Sequence, residues 1–303
     1  MKKLPGKVSD KRNIFRSCII AAVSVITLIS AAIMLYERYT RRAESVLPDG
    51  TARVCFIDVG QGDCTLITAC GRNILIDSGE YEEYGTVARY LSDRGIEKLD
   101  SIIMTHPHTD HMGSMYRIVE RFGADSFIMP DVKDLTPSFP LYVKLIEALG
   151  KRGIPVRYAV PGTKTELGEN CRLEFLAPVS DYDDLNNYSV VTRFVYGGVS
   201  FLLTGDTERE AERDILESGA DISADVIKVP HHGSGTSSLK IFVQAVSPTY
   251  AVFSVGESND FGHPHSNITE LYRKLGVSVY RTDMNGSVVF TTDGATIDVM
   301  TAE

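Results

Sequence analysis

The sequence predicts an α/β protein, a four-layer αββα sandwich preceded by one N-terminal membrane-spanning helix. Three observations carry that expectation. Residues 18–36, CIIAAVSVITLISAAIMLY, form an apolar run without a single charge. From residue 51 onward, short β-type runs and helical stretches occur as strands then helices, twice over, the pattern of two sheets each covered by helices on an outer face. All seven histidines fall into three tight clusters near strand ends, so functional loops are expected along one edge of the sandwich. With 303 residues, 43% hydrophobic and 23% charged, the chain can bury one substantial core plus an appendage, and nothing in its composition signals disorder.

Four segments follow: a basic cytoplasmic N-terminus at 1–17, a transmembrane anchor at 18–36, a linker at 37–50 and a globular domain at 51–303. The apolar run is close to the roughly 20 residues a helix needs to cross a bilayer. Lys2, Lys3, Lys7, Lys11, Arg12 and Arg16 precede it, whereas only Arg38, Arg41 and Arg42 follow. That asymmetry places the N-terminus in the cytoplasm and the domain outside, as a single-pass protein of the cell membrane. A cleaved signal peptide and a buried core helix are the alternatives. Against cleavage, the run is longer than an ordinary signal core and the flank ERYTRRAES offers no clean small-residue site.

Charge and cysteine usage narrow the partners. Residues 1–49 hold nine Lys/Arg against four acidic residues, a net of +5, so the chain total of −9 leaves −14 on the remainder. Such a domain repels phosphate backbones unless a basic patch or bound metal reverses the local sign, which weighs against tight nucleic-acid binding but leaves a nucleotide or polymer substrate open. The five cysteines, Cys18, Cys55, Cys64, Cys70 and Cys171, show no zinc-type CxxC spacing. Cys55 and Cys64 sit in strand-like runs and read as small apolar residues. A disulfide in an exported domain has no support in the spacing.

The elements run in order as follows. Pro-Asp-Gly at 48–50 closes the linker with a turn signal. RVCFIDV, CTLITA and NILIDSG then read as an antiparallel meander with turns at Gly60–Gly62 and Gly71–Asn73. A helix is expected over Tyr84–Asp93, and LDSIIMTH reads as a buried strand that ends in a histidine cluster. Ser114–Phe122 is helical, SFIMP a strand and Tyr142–Arg152 a helix; IPVRYAV, CRLEFLAP, VTRFVYGG and VSFLLTGD are strands. Helices ERDILESG and SSLKIFVQAV flank the strand DVIKVP, after which come strand YAVFSVG, helix ITELYRKLG and a closing sheet of SVYRT, GSVVFTT and ATIDVMT.

The first cluster, THPHTDHMG, interleaves His106, His108 and His111 with Asp110 directly after a buried strand. Neutral imidazoles and a carboxylate suit zinc and similar divalent metals, and four such side chains in six residues gain little from packing alone. FLLTGD brings Asp206 to the end of an apolar strand; alone it reads as a turn former, but beside a metal pair one carboxylate can bridge both ions. DVIKVPHHGSG offers His231 and His232 after another strand, followed by a Gly/Ser loop suited to close approach of a substrate. FGHPHSN, with His263 and His265, reads either as part of the site or as a surface turn.

HPHTDH matches the HxHxDH signature of the metallo-β-lactamase superfamily, and the chain resembles that superfamily over nearly all of residues 51–301. More narrowly, FIDVGQGDCTLI, ILIDSGE, THPHTDHMGSM, FLLTGDTE, DVIKVPHHGS and FGHPHSN are similar, in order, to motifs of the hydrolase domain of ComEC-type competence proteins. The polytopic channel part of those proteins has no counterpart in this sequence, so the chain is not expected to form a DNA channel. The resemblance implies a metallo-β-lactamase sandwich at 51–303 holding two divalent metal ions, zinc first and manganese the alternative. It places His106 and His108 on one metal, Asp110, His111 and His232 on the other, and Asp206 between them, with Asp77 supporting the site. Many members carry a further histidine before the bridging Asp, yet residues 112–230 contain none. The first metal is therefore short of a ligand, and LNNYSVV at 185–191 puts Asn187 or Ser189 forward as its neighbour, with a weaker site or a water ligand as the consequence.

The expected chemistry is hydrolysis by a metal-activated hydroxide, with a phosphodiester as the first substrate class. Asp110 orients the water, while His231 or His263 hydrogen-bonds the phosphoryl oxygens or protonates the leaving group. Asp63 in VGQGD either positions its loop or meets the site directly. The substrate is DNA or a cell-surface polymer such as a choline-bearing one; the membrane is the other partner, and no protein partner is expected. The alternatives are a β-lactam or thioester hydrolase and a non-catalytic DNA-handling accessory protein.

Overall fold

The computed structural model describes residues 15–17, 19–21, 23–30, 47–132 and 139–301. The described residues divide into two units, one holding those between 15 and 30 and the other nearly all of the rest. In the first, the described residues between 15 and 30 are helical. The expected anchor at 18–36 falls partly outside the described residues, and among those described no helix is long and apolar enough to cross a membrane. The expected cytoplasmic segment 1–17 and linker 37–50 lie almost wholly outside them.

The larger unit contains two sheets. The first is built from β1 (Ala52–Phe56), β2 (Thr65–Ala69), β3 (Arg72–Ile76), β4 (Leu99–Ile103), β5 (Ala124–Met129) and β6 (Val156–Tyr158), joined by β14 (Val288–Thr292) and β15 (Ile297–Thr301). Its order is β15-β14-β1-β2-β3-β4-β5-β6. The second comprises β7 (Lys164–Gly168), β8 (Cys171–Phe175), β9 (Thr192–Tyr196), β10 (Val199–Leu203), β11 (Val226–Lys228), β12 (Tyr250–Phe253) and β13 (Ser278–Arg281), in the order β13-β12-β11-β10-β9-β8-β7. Helices α1 (Tyr84–Asp93), α2 (Thr109–Met112), α3 (Met115–Phe122) and α4 (Pro140–Arg152) belong to the first half, and α5 (Arg209–Glu217), α6 (Lys240–Val246), α7 (Ser266–Lys274) and α8 (Thr282–Asn285) to the second.

Three apolar layers hold these elements together, as an αββα sandwich requires. Val87 and Leu91 of α1, Ile118 and Phe122 of α3 and Leu145 and Leu149 of α4 pack on Leu66, Leu75, Ile102 and Phe127 of the first sheet. Phe242 and Val243 of α6 and Ile268 and Tyr272 of α7 pack with Leu202, Ile227 and Phe253 of the second. Between the sheets lie Phe56, Phe194, Phe201 and Phe290. The Phe290 ring meets Phe56 edge-on at 5.8 Å and Phe201 at 6.0 Å, the geometry that aromatic quadrupoles favour.

The meander β1-β2-β3, helix α1 and the two sets of strands and helices fall where the sequence places them. Three features differ. Strand β7 has no counterpart among the runs read from the sequence, because Lys164, Thr165 and Glu166 are all exposed and no period-two apolar face marks it. The closing strands do not form a sheet of their own: β13 extends the second sheet, while β14 returns to pair antiparallel with β1, Phe290 opposite Val54. Residues 185–188, within LNNYSVV, form a 3-10 turn capped by Asp184, whose Oδ1 accepts the Asn186 N–H.

Candidate metal centre

The parallel strands of both sheets end at one place. β3 and β4 are parallel, as are β10, β11 and β12. Asp77 follows β3, His106 follows β4, Asp206 follows β10, His231 and His232 follow β11, and Ser254 follows β12. Ligands in α/β folds collect at such carboxyl ends because the strands stop there and their loops open outward.

His111 is fixed by Asp77. The carboxylate of Asp77, in a left-handed backbone conformation at φ +57, accepts the Thr105 N–H at 2.8 Å and the Thr105 hydroxyl at 2.6 Å. Its Oδ2 also lies 2.8 Å from His111 Nδ1. An acceptor there keeps the ring proton on Nδ1 and leaves Nε2 to face the site. His232 is fixed the same way, with Nδ1 donating to the Ser254 carbonyl at 2.8 Å. His231 and His232 both hold positive φ, +50 and +54, a strained pairing for residues with a Cβ that turns both imidazoles from one strand end into one site.

Asp206 sits on a turn at Gly205. A Cβ on Gly205 would lie 2.9 Å from both Ser189 Oγ and Thr105 Cβ, so only glycine lets the turn approach the β4 loop this closely. The Asp206 N–H donates to Ser189 Oγ at 2.9 Å, and the Glu208 N–H to Asn187 Oδ1 at 3.0 Å. Asn187 and Ser189 thus pin the Asp206 turn; Ser189 Oγ is near His106 only at the Nδ1 side, at 3.4 Å. The member of that segment that lines the site cavity is Asn186.

Asp110, His111, Asp206 and His232 bring one ligand atom each to within 4.8 Å of one another. His232 Nε2 is 3.2 Å from Asp110 Oδ2 and 3.3 Å from Asp206 Oδ2; His111 Nε2 is 3.3 Å from Asp206 Oδ2 and 3.7 Å from Asp110 Oδ2. Donors about 2.0–2.1 Å from a tetrahedral zinc lie about 3.3 Å apart, so the spacing fits a divalent cation. Asp206 Oδ1 is buried without a hydrogen-bond partner, an arrangement that is costly unless a cation takes up its lone pairs. His106 Nε2 and His108 Nδ1 are 3.0 Å apart, but neither residue belongs to a group of three or more ligands held this closely among the described residues. A first metal would therefore have these two imidazoles to draw on.

The electrostatics follow from this crowding. Burial pushes His111 down, but Asp206, Asp110 and Asp77 outweigh it and raise its pKa well above the usual imidazole range. For His232, burial is likewise outweighed by Asp206 and Asp110, and its pKa rises to about 10. Burial works to raise Asp206 and Asp110, yet the two imidazoles hold both well below ordinary carboxylates. His106 is pushed well below its usual range by burial and by His111, which keeps it neutral. Burial and the imidazoles of His232, His231 and His265 lower His263 to about 4.

Around the centre, a cavity of about 380 Å³ is lined by His108, Thr109, Asp110, Phe139, Asn186, Asp206, His231 and Phe261. His231 lies between Asp206 Oδ2, 3.7 Å from its Nε2, and Glu208 Oε1, 3.2 Å from its Nδ1. The His263 ring is 5.6 Å from that of His231 and 6.2 Å from that of His232. His265 instead accepts the Gly235 N–H at 2.6 Å and fastens the loop. Asp63 both holds its loop and meets the site: its N–H donates to the Asp110 carbonyl at 3.1 Å, its carboxylate meets buried Lys228 at 2.9 Å and lies 3.5 Å from His232 Nδ1, and with Asp77 and His111 it forms a second buried group of candidate ligand atoms.

Three residues here were not singled out in the sequence. Lys228 reads there as one more strand position, yet it is buried beside the ligands. Glu208 had a signal in its place two residues past Asp206 in FLLTGDTE. Glu212 in α5 accepts the Ser238 and Leu239 N–H groups at 2.6 and 2.8 Å and so anchors the HHGSG loop, a role no local pattern announces.

A histidine- and aspartate-built centre between two such sheets defines a metallohydrolase fold, and residues 57–257 match the metallo-beta-lactamase superfamily. The chain belongs to that superfamily. It is 30% identical over 78% of its length to ComE operon protein 3 of Bacillus subtilis, covering 32% of that protein. It is 29% identical over 86% of its length to Competence protein ComA of Neisseria gonorrhoeae, covering 35% of it. The chain thus spans about a third of the length of these curated relatives. Among solved structures, the metallo-beta-lactamase fold protein YhfI of Bacillus subtilis is similar with a TM-score of 0.54 at 13% identity, over 80% of this chain and all of YhfI. CmlA, a diiron β-hydroxylase of Streptomyces venezuelae, is similar with a TM-score of 0.52 at 17% identity, over 80% of this chain and 54% of CmlA. These two likenesses concern the fold.

Proposed function

We propose that this protein is a membrane-anchored, extracytoplasmic, metal-dependent phosphodiesterase. The observation that carries the reading is the four-residue cluster of Asp110, His111, Asp206 and His232, with the buried Asp206 Oδ1 left unpartnered beside an open cavity. Asp110, His111, Asp206 and His232 would hold a divalent ion, zinc by the chemistry of the donors, which when bound would supply an activated water near neutral pH and Lewis acidity toward the substrate oxygens. Relatives named for competence favour a nucleic-acid type of phosphodiester, single-stranded DNA first, over a β-lactam or thioester. Among the described residues no Lys or Arg lines the cavity, so the phosphate charge is expected to be met at the cluster, with catalysis less dependent on salt than in a protein that tracks a phosphate backbone.

Each residue then has a part. Asp110, the most exposed of the four ligands, orients the attacking water. His231, held at Nδ1 by the Glu208 carboxylate, carries at Nε2 the proton that passes to the leaving-group oxygen. His263, neutral through burial and its imidazole neighbours, offers a hydrogen bond to a phosphoryl oxygen. The anchor at 18–36 and its flanking positive charge keep the domain outside the cell. Hydrolysis of bis(p-nitrophenyl) phosphate by the full-length chain, chelated and then given zinc or manganese, tests the reading. Metal-restored turnover is expected; a metal-loaded protein that cleaves a chromogenic β-lactam and no phosphodiester would overturn it.

A further inference from the structure

The β2–β3 hairpin turns through Cys70 and Gly71, both left-handed at φ +52 and +73, between the paired residues Ala69 and Arg72. A two-residue turn of this kind ordinarily takes Asn-Gly or Asp-Gly, so a cysteine in the first position is a departure. Its side chain lies over the end of β7. A Cβ built on Gly168 would sit 2.7 Å from Cys70 Sγ, and Gly168 is the register partner of Cys171. The Cys70 thiol is close enough to the Cys171 thiol to raise its pKa. Cys171 is fully buried, Cys70 is exposed, and neither is oxidised.

We propose that Cys70 and Cys171 are a disulfide-forming pair that fastens the first sheet to the second when the protein meets an oxidised thiol such as glutathione disulfide. The exposed Cys70 thiolate attacks one sulfur of the oxidant; a Cys70–glutathione mixed disulfide forms and one glutathione thiol leaves. The Cys171 thiolate then attacks the Cys70 sulfur, the Cys70–Cys171 bond forms and the second glutathione thiol leaves. Two protein thiols are oxidised, one disulfide is reduced to two thiols, and the two protons go to solvent and glutathione. Burial and the neighbouring Cys70 sulfur push the Cys171 thiol up to about 12, so the second exchange is the slow one and quickens with pH. The bond would close a loop of some hundred residues between the β2–β3 turn and the start of β8, so it restricts the unfolded chain strongly.

The test incubates the full-length chain with glutathione disulfide at pH 7 and pH 9, quenches with acid, alkylates, and maps unreduced peptides by mass spectrometry. A Cys70–Cys171 linked peptide is expected, forming several-fold faster at pH 9. It should bring a rise in Tm of roughly 5–15 °C that dithiothreitol reverses and that Cys70→Ser, an exposed and well-tolerated change, abolishes. Cys70 carrying glutathione with Cys171 still alkylatable would overturn the proposal, as would Cys70-linked dimers on a non-reducing gel.

Discussion

At the scale of single residues, His111 and His232 share one design: each gives Nδ1 to a scaffold acceptor and leaves Nε2 among carboxylates. Without a cation, those carboxylates hold protons on the rings, with His232 at about 10. A divalent ion must displace them, so binding should release protons and tighten as pH rises from about 6 to 8. Calorimetry of zinc binding in buffers of different ionisation enthalpy checks this; no proton release would contradict it. The same raised value makes the His232 contribution to metal-free stability fully present below pH 6.5 and lost as pH rises through about 10. Glu208→Gln should lower kcat about 10- to 100-fold by loosening His231, with metal content unchanged; paired kinetics and metal analysis would show whether the two separate. The candidate ligands Asp110 and His111 were legible because HxHxDH compresses chemistry into six positions. Asn186, Lys228 and Glu212 were not, since each acts only on residues distant in sequence.

At the scale of elements, the Asp63–Lys228 pair deserves the most direct test because it links the β1–β2 loop of one sheet to β11 of the other. Both side chains are buried, and Lys228 Nζ also donates to the Val229 carbonyl at 2.9 Å. Lys228→Met would leave a buried carboxylate unpaired and should cost about 3–5 kcal/mol in urea unfolding. Adding Asp63→Asn should recover part of that loss; a fully additive double variant would contradict the pairing. Helix α1 and the central strands were readable from apolar periodicity, whereas β7, with three successive exposed residues, carries no such period. The return of β14 to β1 was hidden for a different reason. Its alternation of buried and half-buried residues says that it is a strand, but partner choice depends on the Phe56–Phe290 contact across the chain's full length.

For the whole molecule, the two strand–helix sets and the three apolar layers follow from one requirement, that both sheet faces be covered. The same arrangement brings carboxyl ends of strands from both halves to one edge, which is why ligands separated by more than a hundred residues meet. If the apolar run at 18–36 anchors the chain as proposed, a reporter fused after Glu303 should be active only outside the cytoplasm; cytoplasmic activity would reverse the topology. The central claim is that Asp110, His111, Asp206 and His232 hold a divalent metal. Its most direct test is the metal content of the purified full-length chain beside that of the double variant His111→Ala, Asp206→Ala, measured by inductively coupled plasma mass spectrometry. The expected result is tightly bound divalent metal in the native protein that is lost from the folded variant. Equal metal content in the two would contradict the account.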